Sequence, residues 1–288
     1  MYTDFGSRVL EYQMSEISTF TKATDVRPRA GQIIKTNTLV GFRELVPLSL
    51  IDRRALNLLI EAAWDSIEED KEHRISADEL RFGDRTNKEL EDTIKHLQGA
   101  YIEIKLERND TGERIIKSVP ILSEVSRSEI MSSDGSVWFK FSQPLIEVVR
   151  DSQLYTRMTR DLMLSLQSKY SLALYEIVQS LRKLKYKQSV TYTLDEWREK
   201  LGVEPGKLTT LGNFRQRCWQ PAIDELNFLG DLRLEHGSVK EGRTVVGIEL
   251  IWVEKTPEEK LAALKELQGS KIGRKQRRTG DVERVLEE

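Results

Sequence analysis

The chain has 288 residues, enough for about two domains at roughly 100–200 residues each. Its 39% hydrophobic and 32% charged residues exclude an unfolded polymer, and no window approaches the roughly 18 uncharged apolar residues of a membrane-spanning helix. The net charge of −2 is uneven: 17 basic against 23 acidic residues over 31–154, and 15 against 12 over 155–253, so the second half is the better match for a polyanion.

Residues 1–30 are polar and weakly patterned and read as a flexible N-terminal arm; the opening MYTDFGSRVLEYQ carries acids and lacks the apolar core of a signal peptide. From residue 31 two passes of similar grammar follow. The first pass begins after Pro47 with SLIDRRALNLLIEAAWDSI, whose Ile51, Ala55, Leu58, Leu59 and Ala62 define a helical stripe. A short strand, His73–Ile75, leads into SADELRF, with Ser76 as N-cap and Glu79 three residues on. The next helix, TNKELEDTIKHLQGA, has the same Thr86–Glu89 signature, puts Leu90, Ile94 and Leu97 on one face and ends near Gly99. YIEIKLER, NDTG and RIIKSVPIL read as a β-hairpin, and VWFKFS as a further strand after the Gly135 turn.

Asp151–Asp161 joins the halves. The second pass opens on SKYSLALYEIVQSLRKL, with Leu174, Val178 and Leu181 on one helical face. VTYTL is a strand, DEWREKLGV a short helix with an acidic start, and Thr210–Asn227 the second helix of the pair. DLRLEHG, SVKEGR and TVVGIELIWV form a hairpin with a charged tip. Helix, strand, helix, helix, hairpin is the order of a winged helix, in which a helix-turn-helix precedes a β wing. The expected fold is therefore α+β, with two tandem winged-helix domains over 31–150 and 155–253, and a C-terminal helix plus basic tail over 254–288.

The helix after Thr210 carries the functional reading. Phe214, Cys218, Ala222 and Leu226 lie four apart and, with Trp219 and Ile223, form an apolar stripe. Arg215, Gln216, Arg217 and Gln220 fall largely on the other side. An Arg guanidinium forks onto guanine and a Gln amide pairs with adenine in the major groove, so these four suit a base-reading surface; the alternative is an ordinary solvated face. Pro221 lacks an N–H and predicts a kink. Thr210 and Asn213 at the helix entrance suit phosphate contacts, as do Lys207 in the turn and Lys240 and Arg243 in the wing. Trp197 and Trp219 read as core aromatics, and Cys218, the single cysteine, as an inert buried thiol of a protein in a reducing cytoplasm. In the first domain the equivalent helix offers Asn87, Lys88, Lys95 and His96, offset by Glu91 and Asp92, which makes it an auxiliary DNA contact or a protein-contact module. The tail adds Lys271, Arg274, Lys275, Arg277 and Arg278 for non-specific phosphate attraction.

No catalytic site, metal or cofactor is expected. His73, His96 and His236 lie in dissimilar elements with no H-E-x-x-H spacing. GVEPGKL, Gly202 to Leu208, has one residue too few between its glycines for a phosphate loop and lacks the Ser or Thr after Lys207.

LSLQSKYSLALYEIVQSL, YTLDEWREKLGV and NFRQRCWQPAIDELN resemble the core of the iteron-plasmid replication initiators, the RepE/Pi-like Rep superfamily; KTNTLVGFRELVPLSLIDRRALNLLI is similar too. The resemblance spans about 31–253 and is strongest at SLALYE and FRQRCWQPAI. It implies two winged-helix domains, binding to repeated origin sites as double-stranded DNA, origin opening, and help in loading a host helicase alongside the host replication initiator. It also implies a homodimer through the first domain that represses its own gene. Arg215, Gln216 and Arg217 occupy the positions of the family's DNA readers, while the low basic charge of the first domain departs from it. A transcriptional repressor on the same fold is the alternative function.

Overall fold

The computed structural model describes residues 22–82, 86–108, 111–129, 135–182 and 188–279. Reciprocal caps start five of its eleven described α-helices. Ser49 Oγ accepts the Asp52 N–H while the Asp52 carboxylate accepts the Ser49 N–H at 2.8 Å, opening α1 (Leu50–Ala63). Ser76 with Glu79 opens α2 (Ala77–Arg81), and Thr86 with Glu89 opens α3 (Asn87–Gln98). The antiparallel strands β1 (Gln32–Thr36), β2 (Arg43–Glu44) and β3 (His73–Ser76) surround these helices in sequence. The chain then runs through β4 (Tyr101–Glu107), β5 (Arg114–Pro120), β6 (Leu122–Arg127), β7 (Ser136–Phe141) and α4 (Gln143–Arg150).

β8 (Tyr155–Thr159), α5 (Arg160–Ser165) and α6 (Lys169–Arg182) lead to the second unit. There β9 (Ser189–Thr193) is followed by α7 (Leu194–Lys200), capped by Thr193 and Glu196. A helix in two pieces, α8 (Leu211–Phe214) and α9 (Gln220–Leu229), precedes the hairpin of β10 (Leu232–Glu241) and β11 (Thr244–Glu254). The chain closes on α10 (Pro257–Gln268) and α11 (Arg274–Thr279).

Both units are winged helices. In the second, β9 pairs with β11, which carries β10 on its other edge, from Gly247↔Thr193 to Ile251↔Ser189. In the first, the same place is taken by β3, β7 and β6, with His73 opposite Phe139. The wing of the first domain is thus β6–β7. The hairpin expected over 101–122 exists as β4–β5, but it is an insert that pairs with β2. The expected run RIIKSVPIL breaks at Ile121, whose N–H is diverted to the Ala100 carbonyl while Ser142 Oγ donates to the Pro120 carbonyl at 2.5 Å.

The linker expected over 151–161 is also structured, since β8 pairs with β1 along its whole length. Of the N-terminal arm, 1–21 lies outside the described residues. Ala23 and Thr24 are buried, and the Trp64 indole donates to the Val26 carbonyl. The apolar stripe of α1 holds at Ala55, Leu58 and Leu59, but Ala62 is exposed and Ala63 is buried in its place.

α1 and α6 are buried nearly all round because they pack on each other as well as on their own sheets. Their contact holds a polar cluster. Lys35 Nζ on β1 donates to Glu176 Oε2 on α6 at 3.0 Å and to Asn57 Oδ1 on α1 at 3.1 Å; Asn57 Nδ2 donates to Glu176 Oε1 at 2.8 Å. Burial pushes the Lys35 ammonium down and the Glu176 carboxylate opposes that shift. A second buried pair, Arg53 with Glu44 at 2.6 Å, lies under Gly202, where a Cβ would fall 2.6 Å from the guanidinium. Gly202 (φ 70) is therefore required both by its left-handed backbone and by this close approach. Removing one partner of a buried pair leaves a stranded charge, at a cost of about 3–5 kcal/mol. Lys35→Met is expected to lower the urea midpoint of the full chain accordingly, and Lys35→Met combined with Glu176→Leu to recover part of the loss.

Candidate nucleic-acid interface

The helix-turn-helix of the second domain is set by aromatic packing. Trp197 of α7 is fully buried and its Nε1 donates to the Ile248 carbonyl of β11 at 2.9 Å. Trp219 packs edge-on against it with centroids 4.7 Å apart, and Phe214 lies 6.1 Å from Trp219. Phe214, Cys218, Trp219 and Ala222 have no exposed surface, and Ile223 and Leu226 are buried beside them. The apolar stripe read from the sequence is therefore the inner face of this helix. Burial raises the Cys218 thiol far above its ordinary range, which keeps it protonated.

Just ahead of Pro221 the helix carries a widened turn. The proline ring crowds the carbonyl four residues back and has no N–H to donate. Residues Arg215–Trp219 form a single π-turn, in which the Gln220 N–H reaches the Arg215 carbonyl. Phe214, Arg215, Trp219 and Gln220 all keep right-handed helical dihedrals, so the path continues into α9.

The preceding turn is braced by Arg198, which sequence reasoning missed. Its guanidinium lies 5.4 Å from the Phe214 ring centroid and donates to the Leu208 carbonyl at 3.0 Å and the Thr209 carbonyl at 2.8 Å. It holds Leu208 in a left-handed conformation (φ 48) that a side chain of this kind rarely adopts. A short motif with these offsets would have exposed Arg198, but its carbonyl partners leave no trace in residue type.

Outside this core, Asn213, Gln216, Arg217 and Gln220 are exposed, as are Thr210 and Lys207 at the entrance. Gln216 and Arg217 make no hydrogen bond or ion pair among the described residues. Thr210 Oγ1 accepts the Asn213 N–H at 3.3 Å, so this hydroxyl caps α8. Arg215 departs from the expected reading face: it is partly buried, donates to Ser238 Oγ of β10 at 2.6 Å, and its Nε is enclosed without a partner. It ties the π-turn to the wing. Lys240 and Arg243 are exposed at the wing tip, where a two-residue turn of Gly242 (φ 60) and Arg243 links β10 to β11 and a bulge falls between Val239 and Lys240.

In the first domain, Lys88 and Lys95 on α3 are exposed, whereas Asn87 Oδ1 accepts from Arg81 at 2.7 Å. His96, expected at the surface, is partly covered, with Nδ1 2.7 Å from Asp52 Oδ2; Glu91 pairs with Arg127 at 3.2 Å. An open cleft of about 660 Å³ runs along this helix, lined by Asp52, Glu89, Asp92 and Glu204 with His96 and Lys169. Its acidic wall disfavours phosphate.

The expected basic tail is largely spent inside the fold. Arg274 is buried, donates to the carbonyls of Glu266, Leu267 and Gly269, and lies 3.5 Å from the Glu266 carboxylate. Arg277 forks onto the same carboxylate at 2.6 Å, and Arg278 lies 3.9 Å from Glu225 of α9. These three guanidiniums dock α11 rather than waiting for phosphate. Residues 280–288 lie outside the described residues. Among the described residues there is no group of three His, Cys, Asp or Glu that could hold a metal, and no helix long and apolar enough to cross a membrane.

Residues 32–179 match the sequence pattern of the family described as "Initiator Replication protein, WH1", and residues 193–252 that of "Initiator Rep protein, WH2". Among solved structures, the Pi initiator protein in complex with iteron DNA is similar in fold at 16% identity and a TM-score of 0.55, over 80% of this chain and 99% of that one. Domains 2 and 3 of RctB match at 12% identity and a TM-score of 0.45, over 79% and 93%. No curated protein sequence matches the chain.

Because Phe214 is fully buried against Trp219, Phe214→Ala is expected to cost about 3–5 kcal/mol through the cavity it leaves. An unchanged thermal midpoint would place this residue outside the core.

Proposed function

The chain belongs to the initiator replication protein family, and on that premise we propose that it starts plasmid replication by binding repeated origin sites, the iterons, as a sequence-specific binder of double-stranded DNA. The single observation that carries this reading is the outer face of the helix at 213–220. Gln216 and Arg217 are exposed and unengaged there, while everything on the inner face is buried. Arg217 reads a guanine through its fork and Gln216 and Gln220 meet neighbouring base edges. Asn213 and the free backbone N–H groups at the helix entrance approach phosphate, and Lys207, Lys240 and Arg243 hold the backbone on either side. Arg215 serves as the link between helix and wing.

The first domain plays the supporting part. Asn87, Lys88 and Lys95 of α3 make at most an auxiliary DNA contact, because the acidic cleft beside them repels phosphate. Its sheet of β2, β4 and β5 supports the reading of a homodimer through this domain: β5 is an edge strand, and Ile116 on it and Tyr101 on β4 are exposed at 60% and 47%. An open edge is a template for a second copy. Origin opening and delivery of a host helicase, together with the host replication initiator, complete the proposal, with the protein acting on its plasmid in the cytoplasm and needing no catalytic site or cofactor of its own.

The test begins with footprinting of the DNA flanking the coding region. A row of direct repeats beside an AT-rich stretch is the expected result; a lone inverted repeat at a promoter would favour a repressor instead. On that DNA, Arg217→Ala is expected to weaken specific binding by about 1–3 kcal/mol. Lys240→Ala is expected to weaken all duplexes about equally and flatten the salt dependence. Unchanged affinity of the Arg217 variant in a gel shift would remove the reading surface from this helix.

A further inference from the structure

Gln220 does not stand free on the reading face. Its Nε2 donates to Asp224 Oδ1 one turn along α9 at 2.8 Å, and its Oε1 lies 3.3 Å from His236 Nε2 on β10. The direction of the amide follows from the chemistry of its neighbours. Asp224 only accepts hydrogen bonds, so the NH₂ end must face it; a flipped amide would set two acceptors against each other. The remaining oxygen can only accept, so the imidazole must donate from Nε2. Burial, and then the positive charge of Arg215, hold His236 below the ordinary imidazole range, which leaves a neutral ring with its single proton at Nε2. Edge-on contact with buried Trp219, centroids 6.0 Å apart, fixes the orientation of that ring.

Asp224 consumes one N–H of the amide and His236 one lone pair. One donor and one acceptor remain, with the acceptor on the wing side and the donor on the Asp224 side. That pair matches adenine, which offers N7 as acceptor and its N6 amino group as donor; guanine offers two acceptors, N7 and O6, and does not match. The arrangement also accounts for Asp224, an exposed acid on a surface facing phosphate, where its charge lowers affinity.

We infer that Asp224 and His236 are positioning residues that fix the direction of the Gln220 side-chain amide and so set an adenine preference at one position of the DNA site. The inference rests on the reading of the second domain as the sequence-specific binder. No metal, cofactor or covalent step is involved.

The experiment selects from a pool of fully randomised duplexes with the full chain and sequences what is bound. The wild type is expected to return a motif in which Gln220→Ala abolishes an adenine preference at one position. Asp224→Ala and His236→Ala are expected to reduce that same preference about fivefold or more, the lower end of what one bidentate pair discriminates, and to leave the other positions unchanged. Asp224→Ala should also bind random DNA more tightly, since a negative charge is gone. Asp224→Asn separates the two effects: it loses the charge but can still accept from Gln220, though it could also donate to a flipped amide, so it should share the tighter random binding and lose less of the preference than Asp224→Ala. A uniform loss across all positions in both alanine variants would reduce the two residues to structural supports and overturn the inference, as would an unaltered adenine preference in both. If the wild type itself returns no motif, the underlying reading of the second domain fails, an outcome distinct from either of these.

Discussion

The contact between Trp197 and Trp219 decides which face of the 211–229 helix is turned outward, the face proposed to meet DNA. Trp197 is anchored to β11 through its indole N–H, and Trp219 packs edge-on against it at 4.7 Å. An aromatic pair of this kind contributes roughly 0.5–1.5 kcal/mol beyond the area it buries. Its larger effect is rotational. With Phe214, Cys218 and Trp219 turned inward, the intervening Gln216 and Arg217 must point out, and the helix has no second face on which they fit. The π-turn belongs to the same constraint. It accommodates Pro221 and lets the adjacent Cys218 and Trp219 both reach the core, so the outer residues gather over one turn.

The rest of the molecule steadies that surface. Arg198 fixes the turn ahead of the helix through two carbonyls and the Phe214 ring. Arg215 joins the helix to the wing, and α11 docks behind through Arg278 and Glu225. Gly202, in the same turn region, rests on the Arg53–Glu44 pair of the first domain. The second domain is therefore coupled to the first by packed backbone as well as by the Lys35–Asn57–Glu176 cluster. Such buried polar clusters add little net stability but make the relative placement of α1 and α6 specific, because any slippage would strand a charge.

What the sequence revealed and what it hid divide along range of interaction. The capping pairs Ser76–Glu79 and Thr86–Glu89, the apolar stripe at 214–226 and the winged-helix order of the second unit are local signals with fixed offsets, and they were legible. The role of wing in the first unit was not, because an inserted hairpin sits between α3 and the β6–β7 hairpin that pairs with β3 through β7, and alternating residues look alike in both. The strand at 122–127 and the short helix at 143–150 fell below the length at which periodicity speaks. Charges were the least legible. Lys35 and Glu176 are far apart in the chain, and Arg274, Arg277 and Arg278 read as a solvated basic tract until their carboxylates at Glu266 and Glu225 are placed beside them. Of the reading face, exposed residue types were visible; the engagement of Arg215 by Ser238 and of Gln220 by Asp224 and His236 required the wing in position.

The most direct check on the central claim is site-specific photocrosslinking of the full chain to duplex DNA carrying its footprinted repeat. A photoreactive side chain at Gln216, on the outward turn, is expected to crosslink to the duplex, while the same group at Glu258 in the C-terminal helix is not. Crosslinking from position 258 with none from 216 would show that DNA meets a different face of the protein and would contradict the account.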